Sequence, residues 1–154
     1  QVAVMEKTAV QMNTVREQVH PACIVCGDRN DTGLHLEFVM TENEGVQAHF
    51  SCDKIYEGYP GILHGGVIST VLDGAMGNCM FARGQAAVTV EMKVRFRHPV
   101  VIGQQAVVHA RINRISHPLY LLEAEIEQDG KIKATAKGKY YDQPQLKTEM
   151  GLSP

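Results

Sequence analysis

The fold of this chain is decided by residues 58–82, which read GYPGILHGGVISTVLDGAMGNCMFA. The stretch begins as a loop, and its glycine pair Gly65-Gly66 lets the backbone approach a bound molecule closely. The remainder predicts a helix, whose first turn presents free N–H groups and the positive end of the helix dipole. The start of this helix is therefore a site for a developing negative charge.

The predicted helix is apolar on most sides, so we expect it to be buried rather than to lie on water. Its apolar residues are Val67, Ile68, Val71, Leu72, Ala75, Met76, Cys79 and Met80. One carboxylate, Asp73, lies in the middle of it. A carboxylate there is unfavourable unless something holds it. Asp73 is thus either a functional residue or a structural one that hydrogen-bonds a loop or a partner chain.

The spacing between Gly65 and Asp73 has a geometric consequence. Eight residues of helix separate them by about 12 Å along the axis and rotate one well away from the other. One helix therefore cannot place its own carboxylate beside its own N-terminal amides. If both groups act on one bond, two chains combine, most simply with their helices antiparallel across a two-fold axis.

Length and composition indicate one globular domain, since the chain has 154 residues and is 44% hydrophobic. A formal net charge of -2 gives no electrostatic footprint for nucleic acid or for an anionic membrane. No apolar run approaches the roughly 20 residues that span a bilayer. We therefore expect neither nucleic acid nor a membrane as a partner.

The four cysteines, Cys23, Cys26, Cys52 and Cys79, do not form a disulfide framework typical of small secreted proteins, which predicts a reducing compartment, the cytoplasm. Cys23-Ile-Val-Cys26 has the spacing of half a zinc knuckle, but no second Cys-x-x-Cys follows it. The pattern favours a local turn and no metal. His20, Cys52 or a second subunit would have to complete a metal site.

The rest of the chain is mostly alternating. Residues 3–19 predict a weakly amphipathic helix that ends at His20-Pro21. Alternating apolar residues predict a hairpin over residues 34–50 and four further strands near residues 88–97, 106–116, 120–127 and 131–140, the last two joined at Asp129-Gly130. Residues after Asp142 are expected to form a loose tail. An α+β architecture follows, in which a curved antiparallel sheet of about six strands wraps around one long helix.

Three spaced blocks carry a resemblance to a known family: GYPGILHGG at residues 58–66, Leu72-Asp73, and TVEMKVRFRHP at residues 89–99. Over residues 23–141 the chain resembles the hotdog-fold thioesterases, particularly the branch related to the phenylacetate-pathway and 4-hydroxybenzoyl-CoA-like acyl-CoA thioesterases. The resemblance implies a hotdog thioesterase domain at residues 23–142, an N-terminal helical extension at residues 1–22 and a C-terminal tail at residues 143–154.

The resemblance also implies a homodimer whose sheets join edge to edge, often doubled into a tetramer. The implied substrate is an acyl-CoA, with coenzyme A as part of the substrate and no separate cofactor. In such enzymes the amide at Gly65 binds the thioester carbonyl, and Asp73 of the opposite subunit is the base or nucleophile. His64 then organises the loop rather than moving protons.

Thr89 matches a family hydroxyl that places the attacking water, although strict alternation puts it on the side of Glu91 and Lys93. The candidate substrate-binding residues fall into three groups: an amide at Gly66, an acyl pocket lined by Met76 and Met80, and cations for the coenzyme A phosphates at Arg83, Lys93, Arg95 and Arg97. The strand cations alternatively form a solvated face or a subunit interface.

Two other functions remain open at this point. A hotdog dehydratase or hydratase would use His64 and Asp73 as an acid–base pair on carbon, and it would release no thiol. A non-catalytic acyl-CoA-binding module would bind the ester without turnover, although its apolar pocket would have no need of Asp73.

Overall fold

The computed structural model describes residues 1–149. The chain begins with helix α1 (Val2–Val19) and continues through a loop to the short strands β1 (Val39–Met40) and β2 (Val46–Ser51). A 3-10 turn (Lys54–Tyr56) and a second loop lead into helix α2 (Gly65–Ala82). The remaining elements are β3 (Ala87–Phe96), β4 (Gln105–Ser116), β5 (Leu119–Gln128), β6 (Lys131–Asp142) and α3 (Gln145–Glu149).

All six strands form one antiparallel sheet in the order β1-β2-β4-β5-β6-β3, and α2 packs on its inner face. The predicted α+β architecture, a curved sheet around a central helix with an N-terminal helix beside it, is confirmed. Within residues 1–149, no helix combines the length and apolarity needed to cross a bilayer.

Small residues on the inner face of the sheet make room for α2. Ala110, Ala124 and Ala136 are cross-strand neighbours on β4, β5 and β6, and all three are buried. Further along β6, a Cβ atom on Gly138 would lie 3.0 Å from the sulfur of Met76 in α2. The helix therefore approaches the sheet closely because the residues beneath it lack bulk.

The predicted first hairpin is shorter than the alternation suggested. Only Val39–Met40 pairs with β2, so the prediction of a strand from Leu34 was wrong. The N–H groups of Leu34 and Leu36 instead donate to the carbonyls of Ile24 and Val25. Alternating burial was read correctly, because Leu36 and Phe38 are buried, but the backbone pairs with a loop rather than with a strand.

The alternation in β3 is broken by a bulge between Thr89 and Glu91. Beyond the bulge, Glu91 stands opposite Lys139 on the outer face, whereas Thr89 stands opposite Tyr140, which is buried on the inner face. The predicted side for Thr89 was therefore wrong, since the extra residue turns Thr89 toward the helix.

The C-terminal tail begins with a short helix rather than a loose segment, because α3 occupies Gln145–Glu149 and Lys147 donates to the carbonyl of Gly84. The rest of the predicted tail, residues 150–154, lies outside the described residues. The predicted domain boundaries at residues 22 and 142 stay predictions.

Candidate active site

The start of α2 leaves one backbone amide free. His64 is the N-cap residue, and its Nδ1 accepts the N–H of Gly66 at 2.8 Å. The Gly65 N–H, in contrast, has no acceptor within residues 1–149. Since Nδ1 accepts a hydrogen bond, the proton of the neutral ring is on Nε2. His64 thus occupies the Gly66 amide, and the Gly65 amide remains available at the positive end of the helix dipole.

Glycines in the preceding loop hold His64 in this place. The loop reverses at Gly61, whose φ of +78° is in the left-handed region, and the N–H of Gly61 donates to the Glu57 carboxylate at 2.9 Å. A Cβ atom on Gly66 would lie 3.0 Å from His64 Nδ1. The approach of the His64 ring therefore favours glycine at position 66.

The carboxylate of Asp73 is held on one side only. Its Oδ1 accepts a hydrogen bond from the Thr89 hydroxyl at 2.7 Å and from the Tyr140 hydroxyl at 2.6 Å. The Oδ2 atom accepts no hydrogen bond from any group in residues 1–149 and is not sealed from solvent. Asp73 therefore presents one anchored oxygen and one oxygen with free lone pairs.

Tyr140 is the member of this cluster that sequence reasoning missed. Its signal was its place in the inward-facing row of β6, where it follows Ala134, Ala136 and Gly138. A buried tyrosine hydroxyl requires a partner. Burial, and then the charge of Asp73, raises the pKa of Tyr140 above its ordinary value of 10.0, so the hydroxyl stays protonated and donates to Oδ1.

The same arrangement of helix and sheet occurs in known proteins. Residues 60–134 match the model of the thioesterase superfamily. The match covers 75 of the 154 residues, just under half of the chain. Acyl-coenzyme A thioesterase THEM4 from Bos taurus is 28% identical over 88 residues, which cover 55% of this chain and 36% of that protein. The chain thus spans little more than a third of the length of this curated relative.

Solved structures confirm the hotdog fold. The Escherichia coli PaaI protein from the phenylacetic acid degradation operon superposes with a TM-score of 0.76 at 18% identity, covering 91% of this chain and 96% of that one. A Streptococcus mutans UA159 protein bound to acetyl CoA superposes with a TM-score of 0.66 at 19% identity, covering 71% of this chain and 89% of that one.

Lys93 and Arg95 lie on the outer face of β3, opposite Lys137 and Thr135 of β6. Arg97 follows the strand and lines an open groove across the same outer face. These three cations are therefore exposed and lie on the other face of the sheet from Asp73. Neither Lys93 nor Arg95 forms an ion pair in the part of the chain that the structure describes.

Three other predicted binding residues lie apart from the free Gly65 amide or inside the core. Met76 and Met80 are fully buried in the core of this chain. Arg83 lies at the other end of α2 from Gly65, in a cleft of about 1300 Å³ between α1, the β1–β2 turn and the end of β4. That cleft contains neither Asp73 nor Gly65.

Two of the four cysteines, Cys23 and Cys26, lie beside a histidine, and Cys52 lies elsewhere. The ligand atoms of His20, Cys23 and Cys26 lie within 4.8 Å of one another, whereas Cys52 lies beside Gln128, with Nε2 of Gln128 3.8 Å from its sulfur. A hydrogen bond from Cys26, supported by His20 and two backbone amides, holds the pKa of the Cys23 thiol well below its ordinary range against the opposing effect of burial. Of the residues proposed to complete the Cys-x-x-Cys pair, only His20 is in place.

Proposed function

We propose that this chain hydrolyses an acyl-CoA thioester to a free acid and coenzyme A. The observation that carries the proposal is the one-sided anchoring of Asp73 by Thr89 and Tyr140, which leaves Oδ2 free for chemistry. The match of residues 60–134 to the thioesterase superfamily and the relative named an acyl-coenzyme A thioesterase support it.

The proposed reaction uses Oδ2 of Asp73 in one of two ways. As a general base, it takes a proton from a water whose oxygen bonds to the thioester carbonyl carbon. As a nucleophile, it bonds to that carbon itself, and water then cleaves the resulting anhydride. In both, the tetrahedral intermediate collapses by breaking the carbon–sulfur bond, and the departing thiolate of coenzyme A takes up a proton.

The Gly65 N–H is the proposed donor for the oxygen that becomes negative in the transition state. It is unpaired in the described part of the chain, it lies at the first position of α2, and a preorganised amide there stabilises an oxyanion strongly. The Phe96 ring lies beside it, with one ring carbon 3.4 Å from the position of a Cβ atom on Gly65. The ring places an apolar surface next to the amide.

The proposed site is shared between two subunits. Asp73 and Gly65 of one chain are about 12 Å apart along α2, so one chain cannot bring both to one carbonyl. Strand β3, which carries Thr89, pairs with β6 on one side only, and no strand among residues 1–149 pairs with its other edge. Its exposed Val90 and Phe96 favour a covered edge. A homodimer in which the β3 edges of two chains meet would cover that edge and would bring Asp73 of one chain to Gly65 of the other. Two such dimers could further form a tetramer.

The exposed cations Lys93, Arg95 and Arg97 are the proposed ligands for coenzyme A phosphates, because they are exposed on or next to the same edge strand. Met76 and Met80 stay candidates for the acyl end of the substrate, and Arg83 stays a candidate for a coenzyme A phosphate. The four cysteines are free thiols, and three of them are buried. Free thiols fit a reducing compartment, so the proposed location is the cytoplasm.

Thiol release from a panel of short, long and aromatic acyl-CoA esters tests the proposal. Asp73→Asn keeps the shape of the side chain and removes its basicity, so we expect turnover to fall about 10²- to 10⁴-fold with native folding retained. The matched control is Asp129→Asn in the β5–β6 turn, whose φ of +53° asparagine tolerates.

Turnover of the parent that survives Asp73→Asn unchanged would contradict the proposed role of Asp73. Consumption of an unsaturated acyl-CoA without thiol release would favour the hydratase, and an ester that raises the melting temperature without turnover would favour a binding module. A hydratase would use the His64 ring to move a proton, and one nitrogen of that ring, Nδ1, already accepts the N–H of Gly66.

The Gly65 amide can be removed with little disturbance. Proline is tolerated at the first position of a helix, and His64 before it has the extended backbone, φ −61° and ψ 134°, that proline requires of its predecessor. We expect Gly65→Pro to lower turnover about 10²- to 10³-fold. Gly65→Ala keeps the N–H and serves as its control, and equal activity of the two variants would exclude the amide as the oxyanion donor.

A further inference from the structure

A cluster of potential metal ligands lies where the end of α1 meets α2, away from Thr89 and Tyr140. His20 is the C-cap residue of α1, and Cys23 and Cys26 lie in the turn that follows. Their ligand atoms are within 4.8 Å of one another, which is close enough for all three to contact one ion. Nothing in the proposed hydrolysis uses these residues.

The turn between the two cysteines is shaped around the sulfur of Cys23. The N–H of Val25 donates to that sulfur at 3.3 Å, and the N–H of Gly27 donates to the Cys23 carbonyl at 2.9 Å. A Cβ atom on Gly27 would lie 2.2 Å from the backbone nitrogen of Cys23, so no other residue allows this turn. Backbone amides that point at sulfur are the outer hydrogen bonds that stabilise a metal-bound thiolate.

Neighbouring side chains support the other two ligands. The buried amide of Asn78 has its Nδ2 3.6 Å from the sulfur of Cys26, and its Oδ1 has no partner among the described residues. Arg16 donates to the carbonyl of Cys26 at 2.6 Å and adds positive charge beside the cluster. The His20 ring packs edge-on against Phe81, with ring centroids 4.9 Å apart, which restricts the orientation of the imidazole.

We propose that His20, Cys23 and Cys26 bind one Zn²⁺ ion per chain, with water in the fourth position. One imidazole and two thiolates suit Zn²⁺ and exclude hard cations such as Mg²⁺ or Ca²⁺, which require oxygen ligands. Binding forms one zinc–nitrogen bond and two zinc–sulfur bonds and releases the two thiol protons to solvent. The imidazole from α1 supplies the ligand that the Cys-x-x-Cys pair lacks.

The proposed ion would join the end of α1 to the turn that packs on the central helix. Val25, between the two cysteines, packs against Gly74 of α2, where a Cβ atom would lie 2.5 Å from its side chain. Gly74 is the residue after Asp73. Zinc at this place would therefore stabilise the packing of α1 and its turn behind the residue proposed to act on the thioester.

Titration of the reduced, metal-free 154-residue chain with Co²⁺ tests the proposal directly. We expect thiolate-to-cobalt charge-transfer absorbance that saturates at one equivalent per chain and is abolished by one equivalent of Zn²⁺. The double variant Cys23→Ser, Cys26→Ser should lose this absorbance, and His20→Ala should weaken Co²⁺ binding at least tenfold. The matched control is Cys52→Ser, a buried cysteine outside the cluster, which should retain it.

Three results would overturn the inference. The first is a wild-type chain that shows no charge-transfer absorbance, a result that does not depend on whether any variant folds. The second is absorbance that persists in the double cysteine variant. The third is His20→Ala with unchanged Co²⁺ affinity. None of these readouts involves thioester turnover, so the zinc site and the proposed hydrolysis stand or fall separately.

Discussion

Thr89 illustrates how one residue's position depends on a local irregularity. In an unbroken strand it would share the outer face with Glu91 and Lys93, whereas the bulge after it brings its hydroxyl to 2.7 Å from Asp73. Together with Tyr140 it fixes which carboxylate oxygen is anchored and which is free. The hydrogen bonds to Oδ1 therefore decide which oxygen of Asp73 is left to react.

Replacing Thr89 with valine removes the hydroxyl and keeps the branched shape. A hydrogen bond to a charged group is worth about 1.5–3 kcal/mol, so we expect kcat to fall about 10- to 100-fold with little change in KM, because Asp73 acts on the reacting bond. Thr89→Ser, which retains the hydroxyl, should stay within a few fold of the parent. Equal losses in both variants would indicate a packing role instead.

Tyr140 should make stability fall at alkaline pH. Its pKa is raised in the folded chain above the ordinary value of 10.0, so its contribution is complete below about pH 10 and is lost as the pH rises beyond that, where only the unfolded chain gives up the proton. Above pH 10 we expect the free energy of unfolding to fall about 1.4 kcal/mol per pH unit more steeply in the parent than in Tyr140→Phe. Urea denaturation at pH 9 to 11 measures both slopes, and parallel slopes would contradict the assignment.

At the scale of elements, α2 is positioned by glycines that serve different purposes. Gly74 faces the turn of Val25, while Gly77 faces open space in this chain. Small residues in a helix allow other atoms to pack very close to it. The structure identifies the Val25 turn as one such contact and Met76 above Gly138 as another.

The two glycines give a matched pair of substitutions within one helix. Gly74→Ala would drive a methyl group into Val25, so we expect the free energy of unfolding to fall by about 1–3 kcal/mol despite the better helix propensity. Gly77→Ala meets no atom within 4 Å in this chain and should raise it by up to about 1 kcal/mol. A loss of stability in Gly77→Ala would show that the space beside Gly77 is filled in the assembled protein.

At the scale of the whole molecule, the separation of Gly65 from Asp73 and the uncovered edge of β3 converge on an assembly. A single chain holds both halves of the proposed chemistry but cannot apply them to one bond. Sedimentation should therefore find a dimer or a dimer of dimers, and a monomer with full turnover would contradict the shared site.

Mixing two inactive variants tests the sharing itself. If each site takes Asp73 from one subunit and Gly65 from the other, a mixed dimer of Asp73→Asn and Gly65→Pro chains contains one intact site. Unfolding and refolding an equimolar mixture should then restore about a quarter of the parent activity, since half of the dimers are mixed and each has one working site of two. No recovery in a mixture shown to exchange subunits would place both groups in one chain's site.

The sequence alone determined the central helix, the loop glycines before it, the long strands and the Asp129-Gly130 turn, because apolar periodicity and turn chemistry are local properties. Tertiary structure decided the rest. The bulge turns Thr89 inward and breaks the period of β3, Tyr140 reaches Asp73 from a distant strand, and Leu34 pairs with a loop instead of a strand. Such contacts arise only when the sheet closes around α2, since no local pattern states which strand, loop or helix end will lie opposite a given side chain.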